Sequence, residues 1–384
     1  MKITDVQILR MAGVHANWIF VKLTTDTGIT GYGESSIERH EEAVITAIES
    51  FREFLIGANP FNVELIWNSI TKSVFWEGGV VIQTALSGVE QALWDIKGKA
   101  LDVPVYELLG GKLRDRMRAY ANAWSSSEPV THDWPKDSPK TVAENASKMV
   151  QAGFRSIKWD PFRNAGQVVD KAEENYAVDC VQAVREAVGP DVELLIECHG
   201  RFNIQSAIRL AQKLEPFDPF FYEEPVPPDN VEAMAEVQRS INFAVATGER
   251  LYTRWAFRPL LERQAARIIQ PDVCHCGGIW ELKKIAAMAE AHYVTVQPHN
   301  ANGPIATLAS LHVDATIPNF IFQEFFYPYL ERYNELLTEP IKYEDGSLHL
   351  PESPGLGADI REEVVAKYPP MKPELLVKYI GSYW

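Results

Sequence analysis

Three glutamates carry the first chemical signal. Glu197, Glu223 and Glu249 each follow a short apolar run, in LLIECHGRFN, FFYEEPV and AVATGERL, and the interval between them is 26 residues both times. An interval of about that length suits one strand, one helix and two short loops. Successive parallel strands would then present all three acids at their carboxyl ends, where barrels place chemistry. Clustered carboxylates repel one another and need a cation. An all-oxygen ligand set points to Mg²⁺. His199 follows Glu197 by two residues, so strand alternation would put both on one face with Cys198 turned away. A metal ligand and a proton-transfer group would then line one cavity. Unrelated surface acids are the plain alternative; the equal spacing and the in-phase histidine weigh against it.

Two further runs end in Gln-Pro-Asp272 and Gln-Pro-His299. Neighbouring strands would set Asp272 beside His299, fixing the imidazole tautomer and raising the basicity of its other nitrogen. That makes a general base; in isolation it would be a structural His–Asp pair. Glu324 lies between Phe322 and Phe325. An apolar setting would raise its pKa and let the neutral acid donate a hydrogen bond to substrate; a salt-bridged strand end is the alternative. Lys158 and Asp160 are also two apart. Lys158 would bind a substrate carboxylate or pair with Glu197.

These residues need a scaffold. Apolar runs predict strands at 117–124, 154–160, 192–199, 220–224, 243–249, 266–272, 294–299 and 320–325. Helical periodicity fills the gaps at 141–152, 170–188, 204–214, 231–240, 255–264, 279–292 and 304–317. Strict alternation implies parallel strands with right-handed crossovers. A closed barrel brings residues from strand after strand together; an open doubly wound sheet is the alternative. Before it, strands at 3–10 and 18–34 form an antiparallel meander, followed by helices at 41–55 and 80–101, an α+β pattern. The expected division is 1–112 as an α+β cap, 113–330 as a (β/α)7β barrel, and 331–384 as a segment returning to the cap. Trp76, in Phe75-Trp76-Glu77-Gly78-Gly79, is either a core aromatic or part of a lid.

Composition narrows the function. The chain has 384 residues, 46% of them hydrophobic and 23% charged, as in soluble globular proteins. A net charge of −15 argues against nucleic-acid and anionic-membrane partners. An acidic protein that binds an anionic substrate must reverse the sign locally, as a divalent metal does. Four cysteines make no disulfide framework, and Cys274-His275-Cys276 lacks zinc-site spacing and reads as packing. The first residues, MKITDVQILRM, show no secretory pattern and no apolar run reaches membrane-spanning length, so the cytoplasm is expected. No phosphate-binding loop or dinucleotide fingerprint is present.

Lys158-Trp-Asp160, Glu197-Cys-His199-Gly-Arg-Phe-Asn203, Glu223-Glu-Pro225, Gly248-Glu249-Arg250, Gln270-Pro-Asp272 and Pro298-His299 resemble the enolase superfamily. More narrowly, they are similar to its acid-sugar dehydratases in the mandelate racemase subgroup, such as galactonate, gluconate and arabinonate dehydratases. The resemblance covers essentially the whole chain. It implies Mg²⁺ on Glu197, Glu223 and Glu249, and His299, oriented by Asp272, removing the C2 proton of a sugar acid. His199 would protonate the departing C3 hydroxyl and Glu324 would hydrogen-bond the enediolate. Cap loops 11–18 and 75–79 would cover the substrate, and homo-oligomers are usual. Two departures stand out. Glu197 replaces the Asp of many relatives with a longer reach. Lys158-Trp-Asp160 replaces the Lys-x-Lys of racemases, which removes the opposing base and favours elimination. An epimerase or cycloisomerase using the same enolate, or a non-catalytic sugar-acid binder, are the alternatives. Trp76, Trp124, Arg201 and Asn203 are candidates for reading substrate stereochemistry.

Overall fold

A computed structural model describes residues 1–72, 75–76, 78–126, 137–162 and 165–371. Glu77 in the second cap loop and the last 13 residues of the expected C-terminal segment therefore lie outside the described residues. The chain begins with an antiparallel meander of β1 (Ile3–Ala12), β2 (Asn17–Thr25) and β3 (Thr30–Glu34). Helices α1 (Glu41–Ser50), α2 (Arg52–Leu55), α3 (Val63–Thr71), α4 (Val80–Leu101) and α5 (Val105–Leu108) follow. The helix expected over 41–55 is interrupted at Phe51. Helix α4 packs against β3 at near-backbone distance: a Cβ on Gly33 would lie 1.8 Å from the Gly88 carbonyl oxygen. Only glycine fits there.

Strand–helix alternation then runs as β4 (Arg116–Ala121), α6 (Pro139–Gln151), β5 (Ser156–Trp159), α7 (Lys171–Val188), β6 (Glu193–Glu197), α8 (Ile204–Leu214) and β7 (Pro219–Glu223). It continues as α9 (Val231–Ser240), β8 (Ala244–Thr247), α10 (Thr253–Glu262), β9 (Ile268–Ile269), α11 (Ile279–Ala291), β10 (Thr295–Val296), α12 (Pro304–Asp314) and β11 (Gln323–Phe325). Strands β4 to β10 are neighbours in sequence order, all parallel. The eighth segment joins both ends of that row: Phe320 bridges Val296 in β10, and β11 pairs with β4. The ring is thus closed, as the barrel reading expects. Tyr120, Leu195, Phe221, Ala246, Ile268 and Phe322 fill its interior.

Beyond β11, α13 (Leu330–Leu336) leads to a hairpin of β12 (Tyr343–Glu344) and β13 (Ser347–His349), with β13 antiparallel to β4. Helix α14 (Glu362–Lys367) and the residues after it return to the meander, where Ala12 N–H donates to the Tyr368 carbonyl. No helix among the described residues is long and apolar enough to cross a membrane.

The barrel strands before β11 are shorter than expected at their carboxyl ends, while β11 ends at Phe325 as expected. His199 and Glu249 lie two residues past their strands, and Asp272 and His299 three. The backbone turns into positive φ at His199 (+51°), Glu224 (+37°) and Gly248 (+140°). These turns release side chains from strict alternation.

Candidate active site

In-register pairing of β6 and β7 sets Glu197 beside Glu223. Glu249, released by the Gly248 turn, completes the group. One carboxylate oxygen from each lies within 4.8 Å of the others, the one cluster of possible metal ligands among the described residues. Lys158, buried on β5, lies 2.8 Å from Glu223, 2.9 Å from Glu324 and 3.4 Å from Glu197. It is therefore held by several acids at once, Glu223 and Glu324 more closely than Glu197, the partner in one of its two sequence readings. Burial pushes the Glu223 carboxyl well above its usual range, and the Glu197, Glu324 and Glu249 carboxylates push the same way while Lys158 opposes. Three acids sharing one lysine leave excess negative charge in a desolvated place. Oxygen-only donors with that charge fit a hard divalent cation.

A histidine neighbours each outer member of the triad, through its backbone at Glu197 and through its ring at Glu249. The His199 backbone N–H donates to Glu197 at 2.6 Å, and His299 Nε2 lies 3.5 Å from Glu249. Each ring is pinned at Nδ1 by an aspartate at 2.6 Å, Asp160 for His199 and Asp272 for His299. A ring held at Nδ1 has a fixed tautomer, and His299 Nε2 faces Glu249 and Glu324. Burial lowers the pKa of either ring, but neighbouring carboxylates outweigh it and raise both, Glu197 and Asp160 for His199, and Glu249, Glu324 and Asp272 for His299. Asp272 also accepts from Asn302 Nδ2 at 2.9 Å and the Cys274 N–H at 2.6 Å.

Glu324 requires a correction. Its partners are Asn122 Nδ2 at 2.7 Å, the Asn300 N–H at 2.8 Å and the Lys158 ammonium, all donors. Burial alone would raise its pKa, but Lys158, His299 and the Asn300 N–H hold it below the usual range. The expected neutral, proton-donating acid is not what this environment favours, since the groups facing Glu324 are donors and suit an acceptor. The His199 argument needs a correction too. His199 faces the Glu197 side because the chain turns after β6, not because strand alternation continues.

The remaining candidates divide. Arg201 is buried and paired with Asp160, bracing the His199 assembly from behind. Asn203 is the N-cap of α8, its side chain accepting the Ser206 N–H at 2.8 Å. Trp124 is buried against Trp159 with its ring N–H on the Ala121 carbonyl. Trp76 is 86% exposed, its edge against Phe75, so the core reading fails. The cap loop 11–18 does reach the barrel: His15 stacks on Phe326 and Tyr329, just past β11. Sequence reading missed Asp160 as the partner of His199, although both sit at strand ends. It also missed Glu224, buried and bonded to Arg250 Nε at 2.7 Å, for which the adjacent acidic and basic residues in EEP and GER were the available sign.

A closed α/β barrel under an α+β cap, with acids and imidazoles gathered at the strand ends, places the protein in the enolase-superfamily class. Comparison with known proteins narrows this. Residues 2–110 match the N-terminal domain model of mandelate racemase / muconate lactonizing enzyme, and residues 141–364 match the enolase C-terminal domain-like model. The chain belongs to the mandelate racemase / muconate lactonizing enzyme family of that superfamily. It is 37% identical over 371 residues to a D-galactonate dehydratase of Pectobacterium atrosepticum, covering 95% of this chain and 94% of that one. A D-galactonate dehydratase of Variovorax paradoxus is 38% identical, with 94% and 93% covered. A solved mandelate racemase/muconate lactonizing enzyme-like protein from Roseovarius superposes with a TM-score of 0.91 at 38% identity, covering 97% of each chain.

Proposed function

We propose that this chain is a hydro-lyase that dehydrates a sugar acid, an aldonate of the galactonate or gluconate type, to a 2-keto-3-deoxy acid with Mg²⁺. The observation that carries this reading is the pair of aspartate-pinned imidazoles, one at either end of a three-carboxylate cluster. The names of the relatives agree with it. Glu197, Glu223 and Glu249 would hold Mg²⁺. When bound, that ion supplies Lewis-acid stabilisation of charge developing on a carboxylate's oxygens.

The protein's own groups do the rest. His299 Nε2 takes the proton from C2, while Asp272 fixes its tautomer and bears the resulting imidazolium. Glu324 and Lys158 lie beside His299 and the triad, where Lys158 offsets negative charge. His199 Nε2 gives a proton to the C3 hydroxyl, which departs as water as the C2–C3 double bond forms. The enol then tautomerises to the 2-keto acid. His299 ends with one proton gained and His199 with one lost, so exchange with solvent resets both. An epimerase would instead return a proton to C2 from the His199 side and retain the hydroxyl.

The test is incubation with C5 and C6 aldonates and Mg²⁺, assaying 2-keto-3-deoxy product. Turnover of at least one aldonate is expected, and His299→Asn should lose about 10²- to 10⁴-fold in rate. A His299→Asn enzyme as fast as wild type, or C2 exchange in D₂O without loss of water by the wild type, would defeat the reading.

A further inference from the structure

We infer that the cap positions the proton-abstracting half of the site: Glu34 and one face of α4 hold the two loops that carry Asp272 and His299. This rests on the functional reading above. The loop after Asp272 is bonded along its length to buried side chains of α4. Thr84 Oγ1 lies 2.8 Å from His275 Nδ1, Ser87 Oγ accepts the Gly277 N–H at 3.0 Å, and Gln91 Nε2 donates to the Val273 carbonyl at 3.1 Å. Positions 84, 87 and 91 share a helical face. Beside them, Glu90 accepts the first two backbone N–H groups of α11, Ile279 at 2.7 Å and Trp280 at 2.9 Å. His275 Nε2 in turn lies 3.8 Å from Asp272.

The loop after His299 is held in the same manner. Glu34, at the end of β3, accepts the Gly303 N–H at 2.6 Å and the Ala306 N–H at 2.9 Å, at the start of α12. Gln91 joins the two contacts, since its Oε1 accepts the Glu34 N–H. Each carboxyl group satisfies N–H groups at a helix start that no intrahelical carbonyl reaches, while burial pushes the pKa of Glu34 up to about 7 and that of Glu90 up to about 8. The approach is close: a Cβ on Gly278 would sit 2.1 Å from Glu90, and one on Gly303 2.7 Å from Glu34.

The other half of the site is held differently. The bonds described for the 198–203 loop come from the barrel itself: Asp160 on His199, the Gly200 N–H on the Glu224 carbonyl, and the Asn203 N–H on the Gln167 carbonyl. Among the described residues, the base is thus held by bonds from the cap, and the bonds given for the acid's loop come from the barrel. A cap that loosens should slow C2 proton removal and leave the His199 arrangement intact.

The experiment compares Glu34→Gln and Thr84→Val with Asp95→Asn. Asp95 is a buried carboxylate on the same helix that ties the Tyr32 and Leu356 N–H groups, away from both histidine loops. Two readouts are taken. The first is kcat and KM with an aldonate and its C2-deuterated form. The second is the low-field imidazole N–H proton resonance of the Asp272–His299 bond, which needs no turnover. Glu34→Gln should lower kcat between about 10- and 100-fold and raise the C2 isotope effect. KM should stay within about twofold, and the resonance should shift or vanish. Thr84→Val should move both readouts in the same direction, and it carries the test should Glu34→Gln fail to fold. Asp95→Asn should lower the melting temperature and leave isotope effect and resonance as in wild type. Wild-type isotope effects and resonance in both test variants would overturn the inference, as would equal changes in Asp95→Asn. A wild-type enzyme that turns over no aldonate defeats the functional reading instead, and the resonance alone then decides this one.

Discussion

The two imidazoles share a device, an aspartate at 2.6 Å from Nδ1, but their settings differ. The His199 side chain is 37% exposed and that of His299 16%. Asp160, buried and held by Arg201, aims the more open ring. Asp160→Asn should therefore cost roughly 10²-fold in dehydration rate, because an amide donor at that place favours the wrong tautomer. Exchange of the C2 proton in D₂O, assigned to His299 in the proposed mechanism, should persist. If exchange and dehydration fall together, His199 is not confined to the leaving-group step. Sequence made Glu197, Glu223 and Glu249 visible, since equal spacing at strand ends is a one-dimensional pattern. It paired Asp272 with His299 for the same reason. It placed Asp160 on one face with Lys158 but gave it no partner, since the pairing crosses from the end of β5 to the turn after β6, and it misjudged Glu324, whose three donors come from 24, 166 and 202 residues away.

Elements were legible where periodicity is local. The order of strands and helices along the barrel follows from apolar runs, yet the strand ends were read too long. Val, Ile and Thr persist up to the turn, and strand propensity carries no sign of the positive φ that follows. Asn203 lies at such a border. Its side chain caps α8, a local role that asparagine fills by preference. Asn203→Ala should lower stability by about 1 kcal/mol, measured as a shift in the urea midpoint, with kcat and KM unchanged. A rise in KM for every aldonate tested would return Asn203 to the substrate. The same border logic explains why α6 begins at Ser138-Pro139 and α7 at Asp170, where a capping box closes with Glu173.

At the scale of the whole molecule, what sequence could not supply is the seating of cap on barrel, since Glu34 and Glu90 find their partners 269 and 189 residues away. The carboxylate triad also acts at this scale. An ion that binds only the folded chain stabilises it by about 2.7 kcal/mol at one hundred times its Kd. Mg²⁺ should accordingly raise the melting temperature, and Glu223→Gln should abolish the rise; an equal rise in that variant would place the ion elsewhere. Acid stability tests the cap–barrel packing separately. His312 on α12 is fully buried, stacked on Tyr106 with ring centroids 5.7 Å apart, its Nδ1 accepting the Tyr106 N–H. Burial lowers its pKa from 6.5 to about 4, with Leu356 pulling weakly the other way. Between those values the unfolded chain holds a proton that the folded chain does not, so unfolding takes up a proton. The neutral ring's contribution is complete above pH 6.5 and is lost as the pH falls toward 4. His312→Gln keeps an acceptor for Tyr106 but does not titrate. The difference in unfolding free energy between wild type and His312→Gln should hence shrink steadily across that window, read from urea midpoints at constant ionic strength. A difference that stays constant with pH would show that His312 takes up its proton alike in the folded and unfolded chain and that its burial is not what sets the acid limb.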